Sequence, residues 1–364
     1  MKNFIYDAQP SHVIFGVGSL NDVKTKLSAL GSKRAMVIAT PEQVSLAQQV
    51  GGLLGDLCAV VHAEAVQHVP IESVDKALEI VQAHQVDGLV AAGGGSSVGL
   101  AKAIALKTSL PILAIPTTYA GSEMTPIWGI TENGLKKTGR DPVVKPKTVI
   151  YDPELTVTLP KGLTVTSGMN AIAHCAEALY AENANPIISL LAEDGIRALA
   201  ASLPKILVDP TDLDARADAQ YGCWLGGMAL GSVGMAMHHK LCHSLGGSYN
   251  LPHAETHTVV LPHVIAYNAS HAPEAVKAIA RALGTDESDV AGTLFDLAKS
   301  LNVPTSLEEL GMKEEDLDEA AEIATENPYY NPRPIEKNLI RELLGNAFSG
   351  KRPTQVGYAV SASK

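Results

Sequence analysis

Five short apolar runs, separated by segments of helical periodicity, occupy much of the first 150 residues or so and restrict the folds open to them. The runs read RAMVIAT, CAVVHAEA, DGLVAAGGG, LPILAIPTT and KTVIYDP, and stretches such as VDKALEIVQAHQ between them carry apolar residues at helical spacing. Strands that alternate with helices are typical of parallel βα units, in which helices cover both faces of a sheet. We therefore predict an α/β N-terminal region with a doubly wound, Rossmann-like parallel sheet.

From about Leu163 the pattern becomes helical. Apolar residues recur at helical spacing in NAIAHCAEALYAEN, ISLLAEDGIRALAASL, PEAVKAIARALG and DVAGTLFDLAKSL, with no convincing strand between them. The segment DPELTVTLP carries two prolines, which disfavour a continuing helix. A chain of 364 residues exceeds one average domain. We predict an α/β dinucleotide-binding domain over residues 1–157 and an all-α substrate-binding and catalytic domain over residues 158–364.

Composition argues against several functions. The net charge of −11 disfavours nucleic acid as a partner, because phosphate neutralisation requires clustered Lys and Arg. The 4 cysteines form no C-x-x-C pair, so neither a disulfide framework nor a cysteine zinc site is indicated. The N-terminus lacks the apolar core of a signal peptide, and no run approaches the roughly 18 apolar residues of a membrane span. We expect a soluble cytoplasmic protein whose partner is a small molecule.

Two loops that follow predicted strands carry residues suited to a cofactor. GGGSSVGLAKAIAL begins directly after an apolar strand and leads into a helical pattern, so its glycines and the helix N-terminus could receive a pyrophosphate. PTTYAGSEMTP follows the next strand at the edge where open α/β sheets bind ligands. The alternatives are a tight strand-to-helix turn and an ordinary polar loop. The candidate cofactor-binding residues in these loops are Gly93, Gly94, Gly95, Ser96, Ser97, Thr117, Thr118 and Ser122.

A histidine constellation in the helical half has the spacing of a catalytic metal site. Asn170 and His174 are four residues apart, as are His239 and His243, and His253 follows ten residues later. Residues at i and i+4 project from one face of a helix, so each pair can point into one cavity. A lone histidine is more often structural than a ligand, but the two segments together favour functional convergence.

The order of these motifs resembles that of the iron-dependent alcohol dehydrogenase superfamily over nearly the whole chain. The shared features are a GGGS turn, a PTT-x-x-GSE loop, a helix with two ligand positions four apart, and H-x-x-x-H with a third histidine ten residues on. The resemblance implies a dehydroquinate synthase-like architecture, an NAD(P)H-dependent oxidoreductase and a homodimer. It places His243 near the nicotinamide. In metal-dependent members one aspartate and three histidines hold the metal, and the corresponding positions here are Asn170, His174, His239 and His253.

Two departures from the metal-dependent pattern point to one branch of the superfamily. Asn170 replaces the aspartate, and Gly99 replaces an acidic residue in the helix after the glycine run. The GGGSSVGLAKA and PTTYAGSEMTPIWGIT segments, with the NPRP run at 331–334, resemble the maleylacetate reductases. Because Asn170 removes what the sequence suggests is the only negative charge of the ligand set, we expect no tightly bound metal and a pocket suited to a dicarboxylate or a developing enolate.

The resemblance implies NAD(P)H-dependent reduction of the carbon–carbon double bond of maleylacetate to 3-oxoadipate, a step in aromatic compound degradation. We predict that His243, His253 and His239 are catalytic, with His243 the general acid or proton relay. The predicted substrate-binding residues are Asn170, His174, Tyr119, Lys240 and Arg333, although Lys240 and Arg333 could also be solvated surface charges. Thr40 stands where many NAD-selective relatives carry an acid, so we expect NADPH to be used beside NADH.

Two other functions stay open at this point. One is a metal-dependent alcohol or polyol dehydrogenase of the same superfamily, with the metal held by Asn170 or by three histidines and water. The other is a lyase related to dehydroquinate synthase with a transient NAD step. A non-catalytic nucleotide-binding regulator is disfavoured by the dense histidine constellation.

Overall fold

A computed structural model describes residues 4–6, 8, 11–133 and 135–355, which form two compact units. One unit comprises the described residues of 8–159 together with 211–220, and the other comprises residues 4–6, 160–210 and the described residues from 221 onward. The sequence places the division at residue 157 and does not indicate that 211–220 joins the first unit. None of the helices in the described part of the chain is long and apolar enough to cross a membrane.

The first unit contains a six-stranded sheet in the order β3-β2-β4-β5-β8-β1, with every neighbouring pair parallel. The predicted α/β fold class is confirmed, and all five predicted strands are present. A first strand and an antiparallel hairpin, β6–β7, were not anticipated. The strands are β1 (His12–Phe15), β2 (Ala35–Ile38), β3 (Cys58–His62), β4 (Gly88–Gly93), β5 (Ile112–Pro116), β6 (Ile127–Glu132), β7 (Leu135–Arg140) and β8 (Thr148–Tyr151).

Burial explains why these segments adopt the extended conformation. β2, β4, β5 and β8 are buried at every residue, as expected of parallel strands with helices on both faces. Their β-branched and leucine side chains, including Val37, Val90, Leu113 and Ile150, meet in one apolar cluster. The helices of this unit are α1 (Val23–Ala29), α2 (Val44–Leu54), α3 (Ile71–Ala83) and α4 (Gly95–Thr108).

Every regular element among the described residues of the second unit is a helix, as predicted. α5 is buried at every position from Thr164 to Ala178 and packs against α6 and α9, while α8 packs against α9. The helices are α5 (Lys161–Leu179), α6 (Pro186–Val208), α7 (Leu213–Ser232, whose first residues belong to the first unit), α8 (Met237–Tyr249), α9 (His253–Asn268), α10 (Pro273–Leu283), α11 (Val290–Ser300), α12 (Leu317–Thr325) and α13 (Lys337–Phe348).

Candidate active site

The carboxyl ends of β2, β4 and β5 bring the predicted cofactor residues to one edge of the sheet. Gly93 ends β4 and pairs with Pro116 at the end of β5, and the Thr117 amide donates to the Gly93 carbonyl at 3.3 Å. Thr40 lies two residues beyond β2, and the nearby Gln43 side chain donates to Thr117 Oγ1 at 2.7 Å. Hydrogen bonds therefore link the ends of all three strands.

The glycine run has different requirements at successive positions. Gly93 has φ +145°, and a Cβ there would lie 2.4 Å from Gln43 Oε1. A Cβ on Gly94 would lie 2.7 Å from Thr118 Cγ2, whereas one on Gly95 would meet nothing within 4 Å. The first two glycines are thus required for packing, while the third leaves open space at the N-terminus of α4, where backbone N–H groups can bind an anion.

Two of the predicted hydroxyls at this edge differ in what they contact. Ser97 Oγ is fully buried and has no hydrogen-bond partner among the described residues, so it has capacity for one more hydrogen bond. Ser122 instead interacts with the buried Lys102, whose ammonium donates to the Ser122 carbonyl at 2.6 Å and to the Thr125 carbonyl at 2.9 Å. Burial lowers the pKa of Lys102 to about 7. Lys102 therefore fixes the shape of the loop that contains Ser122.

Tyr119 has a structural environment in the same unit. Its ring is fully buried, and its hydroxyl donates to Thr156 Oγ1 at 3.3 Å and accepts from Arg216 Nη1 at 3.4 Å. These contacts anchor the loop after β5 and join residues 211–220 to the unit. A contact between Tyr119 and substrate stays a prediction.

Three helices of the second unit bring the predicted histidines together. α5 provides Asn170 and His174, α8 provides His239 and His243, and α9 begins at His253. The ring centroids of His174 and His239 are 5.1 Å apart, those of His239 and His243 are 6.0 Å apart, and those of His243 and His253 are 6.3 Å apart. His243 and His253 are exposed, whereas Asn170, His174 and His239 are buried. The cluster therefore runs from an exposed rim into the helical core.

The structure adds three residues that sequence reasoning missed: Glu177, His238 and His257. His257 is fully buried, with its ring centroid 4.4 Å from that of His253 and 4.7 Å from that of His239. His238 Nε2 lies 3.0 Å from the His257 carbonyl, so Nε2 is the protonated nitrogen. A signal for His257 was available, since it follows His253 by four residues on one helix face.

Glu177 places a carboxylate in the histidine cluster. The expectation that Asn170 leaves the cluster without a negative charge is therefore wrong. The carboxylate is fully buried, and its Oε2 lies 2.7 Å from His239 Nδ1. It also accepts from the backbone N–H groups of Ala236, His238 and His239, at the N-terminus of α8. Burial raises the pKa of Glu177, and His238 and the backbone donors oppose that rise. Glu177 follows His174 by three residues, so helical spacing was again the available signal.

The Glu177 contact assigns the tautomer of His239. Because a carboxylate only accepts, His239 Nδ1 carries the proton and Nε2 is left without a partner among the described residues. Asn170 Oδ1, His174 Nδ1 and both ring nitrogens of His257 are likewise buried and unpartnered there. Burial lowers the pKa of His174, His239 and His257 well below the usual value, so these rings are neutral near pH 7. An unsatisfied buried polar group costs about 1–3 kcal/mol, so this concentration indicates a binding site.

Lys240 and Arg333, the two predicted carboxylate partners, have different surroundings. Lys240 is half-buried on α8 next to His239, and its ammonium lies 5.9 Å from the centroid of the Tyr329 ring. The Arg333 side chain is buried, stacks over the Tyr267 ring at 4.4 Å and donates to the Tyr267 carbonyl at 3.1 Å. These contacts give Arg333 an anchoring role, and its contact with substrate stays a prediction.

Comparison with known proteins agrees with this arrangement. Residues 10–153 match the iron-containing alcohol dehydrogenase family, and residues 164–348 match the C-terminal part of the Fe-containing alcohol dehydrogenase family. The chain belongs to the iron-containing alcohol dehydrogenase family. This membership confirms the predicted resemblance and makes the chain an oxidoreductase.

Within this family, several of the proteins most similar to this chain are maleylacetate reductases. A maleylacetate reductase from Pseudomonas sp. (strain P51) is 56% identical over 96% of this chain and 99% of its own length. One from Burkholderia cepacia is 54% identical over 97% of this chain and 100% of its own. The crystal structure of maleylacetate reductase from Agrobacterium tumefaciens superimposes with a TM-score of 0.94, at 50% identity over 97% of this chain and 100% of that one.

Proposed function

We propose that this chain reduces the carbon–carbon double bond of maleylacetate to give 3-oxoadipate, with NADH or NADPH as the reductant. The single observation that carries the proposal is Asn170 in the carboxylate position of a cluster of neutral, buried imidazoles, in a chain more than half identical to maleylacetate reductases. Such a cluster has hydrogen-bonding capacity for an anion but lacks the anionic ligand that a dication requires.

We further propose that the enzyme works without a tightly bound metal. Asn170 offers a neutral amide oxygen, and the Glu177 carboxylate is already occupied by three backbone N–H groups and His239. Among the described residues, the side-chain nitrogens of His238, His239 and His257 lie within 4.8 Å of one another, and this trio is not the set of family ligand positions. His238 Nε2 donates to the His257 carbonyl, and this trio contains no anionic ligand, which supports the proposal.

The reaction can be written with these residues in defined roles. Held beside Gly95 and Ser97 at the N-terminus of α4, NAD(P)H would supply a hydride to the carbon β to the ketone of maleylacetate, and the substrate would then be an enolate. Buried donors of the cluster, His174, His257 and the Asn170 amide, stabilise the enolate oxygen. His243, exposed at the rim, delivers a proton to the carbon between the ketone and the reduced carbon, which completes 3-oxoadipate. His239 and His253 position the substrate.

Support for the cofactor comes from the edge of the sheet in the first unit. The open space beside Gly95 and the unpartnered Ser97 hydroxyl suit a pyrophosphate at the N-terminus of α4. Thr40 carries no charge that would repel a 2′-phosphate, so we propose that NADPH is accepted. A preference for NADH greater than about a thousandfold, roughly 4 kcal/mol, would contradict this part of the proposal.

The test is oxidation of NADH and NADPH, followed at 340 nm, with maleylacetate and a panel of aldehydes and ketones. We expect turnover with maleylacetate and little with the panel, and activity only with the panel would refute the proposal. His243→Ala should lower kcat by about a hundredfold or more if this residue transfers the proton. Turnover close to the parent value would remove His243 from that role.

The second candidate is a metal-dependent alcohol dehydrogenase, which family membership favours. Metal analysis after purification without added metal, together with activity after chelation, separates the two. Stoichiometric iron or zinc, with activity lost on chelation, would support the second candidate. A homodimer and a cytoplasmic location also belong to the proposal, and sedimentation equilibrium and cell fractionation test them.

A further inference from the structure

The loop between α12 and α13 is held to the helices at several points. Lys337 Nζ lies 3.0 Å from Glu322 Oε2, which joins the two ends of the loop. Asn331 and Asn268 exchange side-chain hydrogen bonds of 2.7 and 2.9 Å, a reciprocal amide pair that fixes the loop on the C-terminal end of α9. The Arg333 contacts with Tyr267 add to this attachment. The exposed Tyr329 therefore sits on an anchored segment.

Tyr329 places an aromatic ring beside the Lys240 ammonium, 5.9 Å from its centroid. Lys240 forms no ion pair with a carboxylate among the described residues, although the chain carries 39 acidic residues. A carboxylate neighbour would neutralise the ammonium, whereas an aromatic face attracts it and leaves its charge available. Lys240 also precedes the exposed His243 by three residues, so both side chains lie on neighbouring parts of the α8 surface.

We propose that Lys240, held by the Tyr329 ring, binds the carboxylate of the substrate that lies farther from the histidine cluster, and that Tyr329 is its positioning residue. The inference rests on the proposed function, because it assigns one of the two carboxylates of the substrate. It makes Lys240 a determinant of selectivity for dicarboxylates over monocarboxylates. Arg333 anchors the loop that carries Tyr329.

Kinetics with maleylacetate test the two roles. Lys240→Met should raise KM at least tenfold with kcat within a factor of two, since it removes a hydrogen bond to a charged group. Tyr329→Leu should raise KM two- to fivefold, the usual range for a cation–π contact at an exposed site, and Tyr329→Phe should restore the parent value. Tyr330→Leu is the matched control, because Tyr330 is 44% exposed against 41% for Tyr329 and is its neighbour in sequence.

A double-mutant cycle separates positioning from direct contact. If Tyr329 acts through Lys240, Tyr329→Leu has no further effect on KM in the Lys240→Met background. Additive effects, or equal KM values for Tyr329→Leu and Tyr330→Leu, would overturn the inference.

Calorimetric binding of adipate, an unreactive dicarboxylate, provides a measurement independent of turnover. Adipate should bind the parent at least tenfold more tightly than Lys240→Met. Absence of this difference overturns the inference even if maleylacetate is reduced. Absence of maleylacetate turnover with the binding difference intact refutes the proposed function alone.

Discussion

Acidification from pH 6 to pH 5 should sharply destabilise the helical unit, because five of its histidines are buried in the neutral form. Burial lowers the pKa of His238 and His263 to about 4, and the pKa values of the other three lie well below the usual value. An unfolded histidine titrates near pH 6.5 and takes up a proton over this interval, whereas the folded ring does not. The five are His174, His238, His239, His257 and His263.

The magnitude follows from proton linkage. A folded pKa below the unfolded one means that the unfolded state binds more protons, so stability is complete above pH 6.5 and is lost as pH falls. Each histidine that stays neutral contributes about 1.2 kcal/mol of loss between pH 6 and pH 5, or about 6 kcal/mol for five. The raised pKa of Glu177 has the opposite sign and returns at most about 1 kcal/mol, which leaves a loss of about 5 kcal/mol. This is a large part of the usual stability of a domain.

Urea unfolding at a series of pH values measures this loss. The chain contains 2 tryptophans, and only Trp224 lies in the helical unit, so a Trp128→Phe background makes fluorescence report that unit. His263→Leu is the matched variant, because His263 is buried against Phe295 and makes no ring contact with the cluster among the described residues. It should reduce the pH-dependent loss by about 1.2 kcal/mol. A total loss below about 2 kcal/mol, or an unchanged pH dependence in His263→Leu, would refute the reasoning.

Three further substitutions address the two candidate sites. Asn170→Asp should convert the cluster to one that retains zinc or iron after purification, as measured by elemental analysis, and metal-free protein would contradict the charge argument. Glu177→Gln should reduce the free energy of unfolding by about 3 kcal/mol in urea, because an amide cannot accept from every donor at the N-terminus of α8. An unchanged urea midpoint would show that the carboxylate is dispensable. Gly95→Ala should stabilise the first unit by about 0.5 kcal/mol yet weaken NADH binding, measured by fluorescence titration, because the methyl group occupies the space left for the pyrophosphate. Unaltered NADH affinity would remove Gly95 from the cofactor site.

Most of the sequence predictions rested on local periodicity. The strands of the parallel sheet were evident because burial on both faces requires continuous apolar runs such as GLVAA. The four-residue spacings of Asn170–His174 and His239–His243 likewise predicted side chains on a common face. The convergence of α5, α8 and α9 depends on tertiary packing. In the sequence, only the repetition of histidines on separate helices indicated that these helices meet.

Contacts that depend on distant partners were beyond the reach of these patterns. The three-residue spacing from His174 places Glu177 on the same side of α5, but it gives no sign of the hydrogen bonds from the N-terminus of a helix about 60 residues later. Residues 211–220 join the first unit through Arg216 and Gln220, which contact Tyr119 and the Asp152 carbonyl. The charge of Arg333 suggested a carboxylate partner, but it gave no sign of the stacking on Tyr267.

The position of the Glu177 charge explains how residues at the metal-ligand positions of the family could bind the anionic substrate of the proposed function. Glu177 carries its charge behind His239, where the N–H groups of α8 compensate it, and the neutral Asn170 lies one helical turn before His174 on α5. A dication at the family positions would therefore meet no anionic ligand, while a dicarboxylate meets no uncompensated anion. The rim adds the unneutralised ammonium of Lys240 beside His243. The proposed reaction requires this arrangement of charge, with neutral donors for the enolate and a cation for the distal carboxylate.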